Sequence, residues 1–411
     1  MKKILIIEDD TIVAHVYRSR LEKEGFEVDI AADGQAGYYR LYEMKPDALL
    51  LDLMLPKLNG IDLLKKIRAT REFAKLPVVV FTNAYVANMI QEASAAGASS
   101  VYNKSTITPR QIIDVLNSLL SPGQDSAFST HGATAADAAS GDKDDTKFQK
   151  ELLTSFMAQF AGNLSEMRKL LQEASRSTEE ARPTPIQALY RKVRSFSSSA
   201  GMAGLTALAK IGAATEVLMK EMVDKPKSVT PSSLRTMAQT IDFFGELAKP
   251  GLPADLADKP PIDILIVDDE MLSRRAIVYA LEKAFLKATA VEDSEAAQAK
   301  AQTTKFDLVF LDVNMPGMNG FELCDKLRQN GPNKTTPVIF VTGTADFQVR
   351  AQSMLRGASD VIAKPFMFIE LTVKALTFAL RHRIDTQKQL AAATSATARA
   401  SRPEEEAALI I

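Results

Sequence analysis

The feature that most constrains this chain is an internal repeat at an offset of 260 residues. Residues 4–10 read Ile-Leu-Ile-Ile-Glu-Asp-Asp, and residues 264–270 read Ile-Leu-Ile-Val-Asp-Asp-Glu. Other landmarks recur at the same offset: Leu51-Asp52, Asn59-Gly60, Thr82, Gly97-Ala98-Ser99 and Lys104 match Leu311-Asp312, Asn319-Gly320, Thr342, Gly357-Ala358-Ser359 and Lys364. The offset is far longer than the roughly 20–50 residues of a solenoid or propeller repeat. We therefore interpret the chain as two copies of one domain with a different region between them.

Each copy alternates short apolar runs with amphipathic stretches. In the first copy five runs are predicted as strands, at residues 3–7, 26–30, 48–51, 78–81 and 99–103. The first, third and fourth runs are continuously apolar, as expected of parallel strands that helices cover on both faces. Five such units predict an α/β fold in each copy, a doubly wound, flavodoxin-like parallel sheet of five strands. Functional groups of such a sheet gather at the carboxyl ends of its strands.

The region between the copies has a different pattern. Apolar residues recur there every three or four positions, which predicts an all-α four-helix bundle. We expect Pro183 and Pro185 to precede the second helix, the third to cover 203–223, and the fourth to follow Thr230-Pro231. The predicted domains are copy one at 1–121, a flexible linker at 122–145, the bundle at 146–249, a Pro-rich linker at 250–261, copy two with an extended last helix at 262–389, and a disordered tail at 390–411.

Charge and cysteine content narrow the function classes. The formal net charge is −1, so no overall basic field points to nucleic acid or to a membrane surface, and no basic recognition helix is evident. The single cysteine, Cys324, excludes a disulfide framework within the chain, which fits a reducing compartment. No apolar stretch approaches the roughly 20 residues of a membrane helix. We expect a cytoplasmic protein that does not contact membranes.

Acidic side chains follow the first and third predicted strands of each copy. In the first copy these are Glu8, Asp9 and Asp52, which parallel neighbouring strands bring to one edge of the sheet. Three carboxylates repel one another unless a cation binds, and oxygen-only ligands favour Mg²⁺. Thr82 and Lys104 end the fourth and fifth strands, where a hydroxyl and an ammonium can hold phosphoryl oxygens. The carboxylate that faces the phosphorus would be the nucleophile.

In this combination both copies resemble the receiver domain of bacterial two-component response regulators. The resemblance implies that Asp52 and Asp312 accept phosphoryl groups from a phosphohistidine, without a separate enzymatic activity. It implies that Thr82 and Thr342 sense the phosphoryl group and that Lys104 and Lys364 bridge to it. It also implies two Mg²⁺ sites, each with main-chain oxygen from the residue two positions after the acceptor. The metal-site residues that it implies are Glu8, Asp9, Asp52 and Met54 in the first copy, and Asp268, Asp269, Asp312 and Asn314 in the second. Of these, Asp9 and Asp269 would bind the metal directly, and Glu8 and Asp268 would hold its waters.

The helical region has a second resemblance. Residues 188–201 read Ala-Leu-Tyr-Arg-Lys-Val-Arg-Ser-Phe-Ser-Ser-Ser-Ala-Gly and resemble the His-x-Leu-Lys-Gly-Ser-Ala-Gly motif of histidine-phosphotransfer domains. Arg194 stands in the place of the histidine, and Ser197 in the place of the lysine. A guanidinium stays protonated and cannot carry a relayed phosphoryl group. Three roles remain open: a small-residue surface at 197–201 on which a receiver docks, with Arg194 pairing with its acidic pocket or phosphoaspartate; a dimerisation or partner-binding unit; and a spacer.

The leading interpretation is a phosphorylated response regulator that signals through protein contacts. Its expected partners are a sensor histidine kinase or a histidine-phosphotransfer protein and a downstream protein, with a homodimer as a further possibility. The alternatives are a phosphorelay intermediate or phosphate sink, and a dimeric scaffold with one inactive receiver.

Overall fold

The protein is described from a computed structural model. The described residues are 1–82, 87–104, 107, 109–120, 143–249, 256, 261–284, 286–329, 331–343 and 355–400. The chain divides into two compact units, of which Met1–Ala248 form the body of the first, while Lys249–Glu282 and Leu286–Ile411 form the second. Each unit contains one five-stranded sheet, and the helical region belongs to the first unit.

All five expected strands form in the first copy. They are β1 (Lys3–Ile7), β2 (Glu27–Ala31), β3 (Ala48–Leu51), β4 (Val78–Thr82) and β5 (Ser100–Asn103). The helices are α1 (Thr11–Lys23), α2 (Gly34–Met44), α3 (Gly60–Ala69), α4 (Ala87–Ala95) and α5 (Pro109–Leu120). The strands are parallel in the order β2-β1-β3-β4-β5. The chain changes direction across the sheet between β1 and β3, and a crevice opens at the carboxyl ends of strands at such a point.

The first sheet is covered on both faces by apolar side chains. Because side chains alternate along a strand, Leu5 and Ile7 belong to one buried cluster and Ile4 and Ile6 to the other. All four are fully buried. This two-sided burial explains why the strand sequences are continuously apolar.

The second copy repeats this architecture. Its strands are β6 (Asp263–Val267), β7 (Lys287–Val291), β8 (Leu308–Asp312), β9 (Val338–Thr342) and β10 (Asp360–Ala363). Its described helices are α10 (Met271–Glu282), α11 (Ser294–Thr303), α12 (Gly320–Gln329) and α13 (Phe368–Ala400). The strand order is β7-β6-β8-β9-β10, again with parallel pairs throughout. The predicted fold class of two flavodoxin-like sheets around a helical region is therefore confirmed.

Four helices form the region between the copies. They are α6 (Lys143–Arg176), α7 (Pro183–Met202), α8 (Thr206–Asp224) and α9 (Pro231–Leu247). α6 packs against α7 and α9, and α8 packs against the same two helices, so the four close into a bundle. Thr230 caps α9 as expected, since its hydroxyl accepts a hydrogen bond from the Ser233 amide at 3.1 Å and Pro231 fills the first helical position.

Two expectations about helix ends are wrong. Pro183 and Pro185 lie inside the first turn of α7 rather than before it, because the amides of a first helical turn have no partner within the helix. The last helix continues to Ala400, beyond residue 389, which is the expected end of the second copy. The rest of the expected tail, 401–411, and most of the expected linker, at 122–142, lie outside the described residues.

The stretch 197–201 of α7, for which a docking surface is one of the three open roles, is largely buried. Ser197 is buried, and its hydroxyl donates to the Ala209 carbonyl oxygen of α8 at 3.3 Å. A side chain at Gly212 of α8 would lie 2.7 Å from the Ser197 hydroxyl oxygen. Small residues at these positions therefore allow α7 and α8 to pack closely. Within the described part of the chain, no helix has both the length and the apolar character to cross a membrane.

Candidate functional site

The carboxyl edge of the first sheet gathers the polar residues that the sequence singles out. Glu8 directly follows β1, Asp52 directly follows β3, Thr82 ends β4 and Lys104 directly follows β5. Since β1, β3, β4 and β5 are consecutive neighbours, the four side chains meet at one end of the sheet. All four are buried. The parallel topology thus converts four positions far apart in sequence into one polar pocket.

Lys104 is the central cation of this pocket. Its Nζ lies 2.5 Å from Glu8 Oε2 and 2.8 Å from Asp52 Oδ2. The same ammonium lies 4.8 Å from the centre of the Phe81 ring. Burial acts to lower the pKa of Lys104, but Asp52 and Glu8 outweigh it and raise that pKa. Lys104 is therefore a permanent positive charge between the two carboxylates.

The three carboxyl groups of the pocket respond differently to burial. Burial raises the pKa of Glu8 despite the opposing Lys104 charge, and burial raises the pKa of Asp9 to about 6. Burial acts on Asp52 in the same direction, but Lys104 and Arg194 more than offset it, so the pKa of Asp52 lies below its ordinary value. Asp52 is thus the carboxyl group held ionised, as a nucleophile requires.

Each copy brings together three carboxylates that fit a divalent cation. One oxygen of each member lies within 4.8 Å of the others in both groups: Glu8, Asp9 and Asp52, and Asp268, Asp269 and Asp312. A donor set made only of oxygens, with negative charges this close together, suits Mg²⁺. Met54 donates its amide to Asp52 Oδ1 at 3.2 Å, and Asn314 donates its amide to Asp312 Oδ2 at 3.2 Å. The metal-binding role of their carbonyl oxygens stays a prediction.

The second pocket has the same lysine–aspartate contact in a more open setting. Lys364 Nζ lies 2.8 Å from Asp268 Oδ2 and 3.2 Å from Asp312 Oδ1. Thr342 is buried at the end of β9, whereas Asp269 is exposed. Burial raises the pKa of Asp312 above its ordinary value, with Lys364 acting in the opposite direction. Burial acts to lower the pKa of Lys364, but Asp268 and Asp312 raise it overall.

A glycine after each acceptor strand lets the chain pass close to the acceptor. A methyl group added at Gly60 would overlap the main-chain oxygen of Asp52, and one added at Gly320 would overlap that of Asp312. Both glycines open the helix that follows, α3 or α12. The repeated Asn-Gly pair therefore has a packing function in each copy.

Arg194 of α7 reaches from the helical bundle into the pocket of the first sheet. Its Nη2 lies 2.6 Å from Asp52 Oδ2 and 2.5 Å from Asp9 Oδ1. On its other side, Nε lies 3.5 Å from Glu216 Oε1. The pKa of Glu216 is raised to about 7 by burial, with Arg194 opposing. Sequence reasoning missed Glu216, because no motif marks this acid on the largely apolar helix α8.

The sequence profile of the response regulator receiver domain matches residues 4–117 and 264–376. The transcriptional regulatory protein ResD of Bacillus subtilis is 38% identical over 115 residues, which cover 28% of this chain and 47% of ResD. The chain spans about half the length of the curated relatives it matches. The two profile matches cover more than half of the chain, so it belongs to the response regulator receiver domain family. It is a two-component response regulator whose two receiver domains flank a helical region.

Solved structures of receiver domains are similar to part of this chain. The chemotaxis protein CheY4 of Vibrio cholerae is 32% identical, with a TM-score of 0.27 and coverage of 28% of this chain and 96% of CheY4. The receiver domain of a sensor histidine kinase from Pseudomonas aeruginosa, solved with a magnesium ion in its active-site cleft, is 24% identical. Its TM-score is 0.28, with coverage of 29% of this chain and 98% of that domain.

Proposed function

We propose that Asp52 and Asp312 each accept a phosphoryl group from a phosphohistidine, in a reaction that uses Mg²⁺. The donor would be a sensor histidine kinase or a histidine-phosphotransfer protein. The observation that carries the proposal is the duplicated contact between acceptor and lysine. Lys104 Nζ lies 2.8 Å from Asp52, and Lys364 Nζ lies 3.2 Å from Asp312, each beside two further carboxylates.

The proposed transfer is a displacement at phosphorus. A carboxylate oxygen of the aspartate attacks, an O–P bond forms, and the N–P bond of the donor imidazole breaks. The released nitrogen keeps the electron pair and takes a proton from solvent. Bound Mg²⁺ would neutralise charge on the phosphoryl oxygens. Lys104 or Lys364, already beside the acceptor, pairs with one phosphoryl oxygen, and the Thr82 or Thr342 hydroxyl donates to another.

The remaining acids of each pocket would hold the metal. Asp9 and Asp269 would provide direct ligands, and Glu8 and Asp268 would hold the waters of the metal. The exposed position of Asp269 and the burial of Asp268 leave one side of the second site open to solvent. An open side suits Mg²⁺, which keeps several of its waters in protein sites.

Signalling would follow from the new charge at the sheet edge. A near-complete switch between two states needs about 5.5 kcal/mol of differential stabilisation. Hydrogen bonds from Thr and Lys to a charged phosphoryl group contribute about 1.5–3 kcal/mol each, so a few of them suffice. The change would reach the surface around the fourth and fifth strands, where a downstream protein or a second copy of the chain would bind.

A relay from one receiver to the other within the chain is disfavoured by the composition of the bundle. Residues 143–249 contain no histidine, and Arg194 stands where the phosphotransfer motif has one. Of the three histidines of the chain, His15 lies on α1 and His382 on α13, while His131 lies outside the described residues. Transfer between Asp52 and Asp312 would therefore need a histidine from a partner.

Intact-mass measurement after incubation of the full chain with acetyl phosphate and Mg²⁺ tests the proposal. We expect Asp52→Ala to keep uptake at Asp312 only, Asp312→Ala to keep uptake at Asp52 only, and the double variant to gain nothing. Uptake by the double variant equal to that of the unaltered chain would show that the phosphoryl group goes elsewhere. A further sample with EDTA in place of Mg²⁺ is expected to gain none.

A further inference from the structure

The contact between the helical bundle and the first receiver reaches the acceptor itself. Arg194 lies in α7 and Asp52 lies 142 residues earlier, yet Nη2 and Oδ2 are 2.6 Å apart. The side chain of Arg194 is 7% exposed and that of Asp52 is 2% exposed. Both residues belong to one compact unit, Met1–Ala248. The ion pair is therefore enclosed by protein and is not a solvated surface contact.

Every oxygen of the Asp52 carboxylate is engaged in this arrangement. Oδ2 is within 2.8 Å of Lys104 Nζ and within 2.6 Å of Arg194 Nη2, while Oδ1 accepts the amide of Met54 at 3.2 Å. Attack on phosphorus needs one of these oxygens to face a donor along an open path. Asp312 has comparable lysine and amide partners, so the group that sets Asp52 apart is Arg194, which stands against Oδ2 from outside the receiver.

Arg194 also brings positive charge to the carboxylates that would hold Mg²⁺. Its Nη2 bridges Asp9 Oδ1 and Asp52 Oδ2, two members of the first acidic group. A guanidinium is always protonated, and its planar fork suits more than one carboxylate at a time. Arg194 and a metal ion therefore compete for the same oxygens.

The guanidinium is held from the bundle side as well. Glu216 of α8 is 3% exposed, and its Oε1 lies 3.5 Å from Arg194 Nε. α1 of the first receiver packs against α7, and Met202 at the end of α7 packs against the apolar cluster on the α1 and α5 side of the first sheet. The contact thus combines a buried charge network with apolar packing.

Among the described residues, no side chain takes a place in the second pocket like that of Arg194 in the first. Asp312 is approached by Lys364 and by the amide of Asn314, the side chain of Lys364 is 18% exposed, and Asp269 is exposed. The two pockets carry the same types of groups but differ in access.

We propose that the helical bundle is an intramolecular occupant of the first receiver, with Arg194 held where Mg²⁺ and the donor's histidine must bind. Building on the proposed acceptor role of Asp52, this makes the first receiver a gated acceptor and the second an open one. Asp52 takes up a phosphoryl group only in the fraction of molecules in which Arg194 has withdrawn. The apparent affinity of the pocket for Mg²⁺ is reduced by the same fraction.

The test uses the full chain with Asp312→Ala, so that only Asp52 can react. Arg194→Ala and Arg194→Met are each added to this background; the second keeps an unbranched side chain and removes only the charge and its hydrogen bonds. Arg191→Ala is the matched control, because Arg191 is an exposed arginine on the same helix. Two quantities are measured: the initial rate of phosphoryl uptake from acetyl phosphate with Mg²⁺, by intact mass, and the affinity for Mg²⁺ without donor, by calorimetry.

Both Arg194 variants are expected to accelerate uptake and to tighten Mg²⁺ binding, each by a factor in the range of about 5–150 that is typical of coupled sites. Arg191→Ala is expected to change neither. Unchanged or weaker Mg²⁺ binding in both Arg194 variants would overturn the proposal that Arg194 blocks the pocket. Slower phosphoryl uptake would show that Arg194 assists the reaction. If no variant took up a phosphoryl group, the acceptor role of Asp52 would fail, while Mg²⁺ binding would still decide whether Arg194 occupies the pocket.

Discussion

Lys374→Met is expected to lower the free energy of unfolding of the second receiver by about 3–5 kcal/mol. Lys374 of α13 is fully buried, and its ammonium forms an ion pair with the equally buried Asp360 at the start of β10. Asp360 also accepts the amide of Val361 at 2.8 Å. Removal of the lysine charge leaves the Asp360 carboxylate buried without a cation. Breaking a buried ion pair is strongly destabilising because the remaining charge is left uncompensated. Amide hydrogen exchange at peptides of β10 and α13 measures this loss of stability of the second receiver within the full chain.

The same helix provides the control for this prediction. Lys388 lies 3.8 Å from Asp385, and both side chains are more than half exposed, so Lys388→Met is expected to leave exchange unchanged. Asp360→Asn combined with Lys374→Met is expected to recover most of the lost stability, because it neutralises the stranded charge. Equal effects of Lys374→Met and Lys388→Met would show that the buried pair does not support the domain.

Lys104→Met is expected to destabilise the first receiver by a similar amount, about 3–5 kcal/mol, in buffer that contains EDTA. Lys104 Nζ is the cation that Glu8 and Asp52 share, at 2.5 Å and 2.8 Å. Without it, three carboxylates face the single positive charge of Arg194. Hydrogen exchange at peptides of β1 and β3 reports the change in the free energy of opening of this sheet.

The second receiver supplies the comparison for Lys104. Lys364→Met removes the equivalent lysine from a pocket with an exposed member, Asp269, so water screens the remaining charges and the loss is expected to be smaller. Adding Asp52→Ala to Lys104→Met is expected to restore part of the stability of the first receiver, because one of the repelling charges is gone. A larger loss from Lys364→Met than from Lys104→Met would contradict the difference in burial between the pockets.

The two sheets and the acidic pockets follow from the sequence because they depend on local periodicity and on one topological rule. Continuous apolar runs such as 78–81 indicate parallel strands, and the carboxyl ends of parallel strands meet. These two facts are enough to group Glu8, Asp52 and Lys104 at one edge of a sheet. The repeat at 260 residues strengthens each assignment, since the same residue types return in the second copy.

The contact that the Arg194 side chain makes with Asp52 cannot be predicted from the sequence in the same way. Its neighbours in α7 show that it replaces a histidine of a known motif, but its partner Asp52 is 142 residues away across a linker. No periodicity relates a bundle helix to a sheet edge at that distance. For this reason the sequence leaves docking as one of three open roles.

Buried charges inside helices are missed for a related reason. Lys374 and Glu216 occupy positions that a sequence pattern assigns to solvent, because isolated lysine and glutamate are rarely buried without a partner. Their partners, Asp360 and Arg194, lie on other elements. Only tertiary packing reveals such pairs.

Borohydride trapping of the phosphorylated protein shows which aspartates carry the phosphoryl group and whether Arg194 restricts access to Asp52. Reduction converts an aspartyl phosphate to homoserine, and peptide mass spectrometry then locates each modified aspartate. The full chain and Arg194→Ala are treated with acetyl phosphate and Mg²⁺ under the same conditions. We predict homoserine in place of Asp312 to the same extent in both proteins, and in place of Asp52 to a much greater extent in Arg194→Ala. Equal amounts of homoserine at position 52 in the two proteins would contradict gating by Arg194, and its absence at both positions in both proteins would show that neither aspartate is the acceptor.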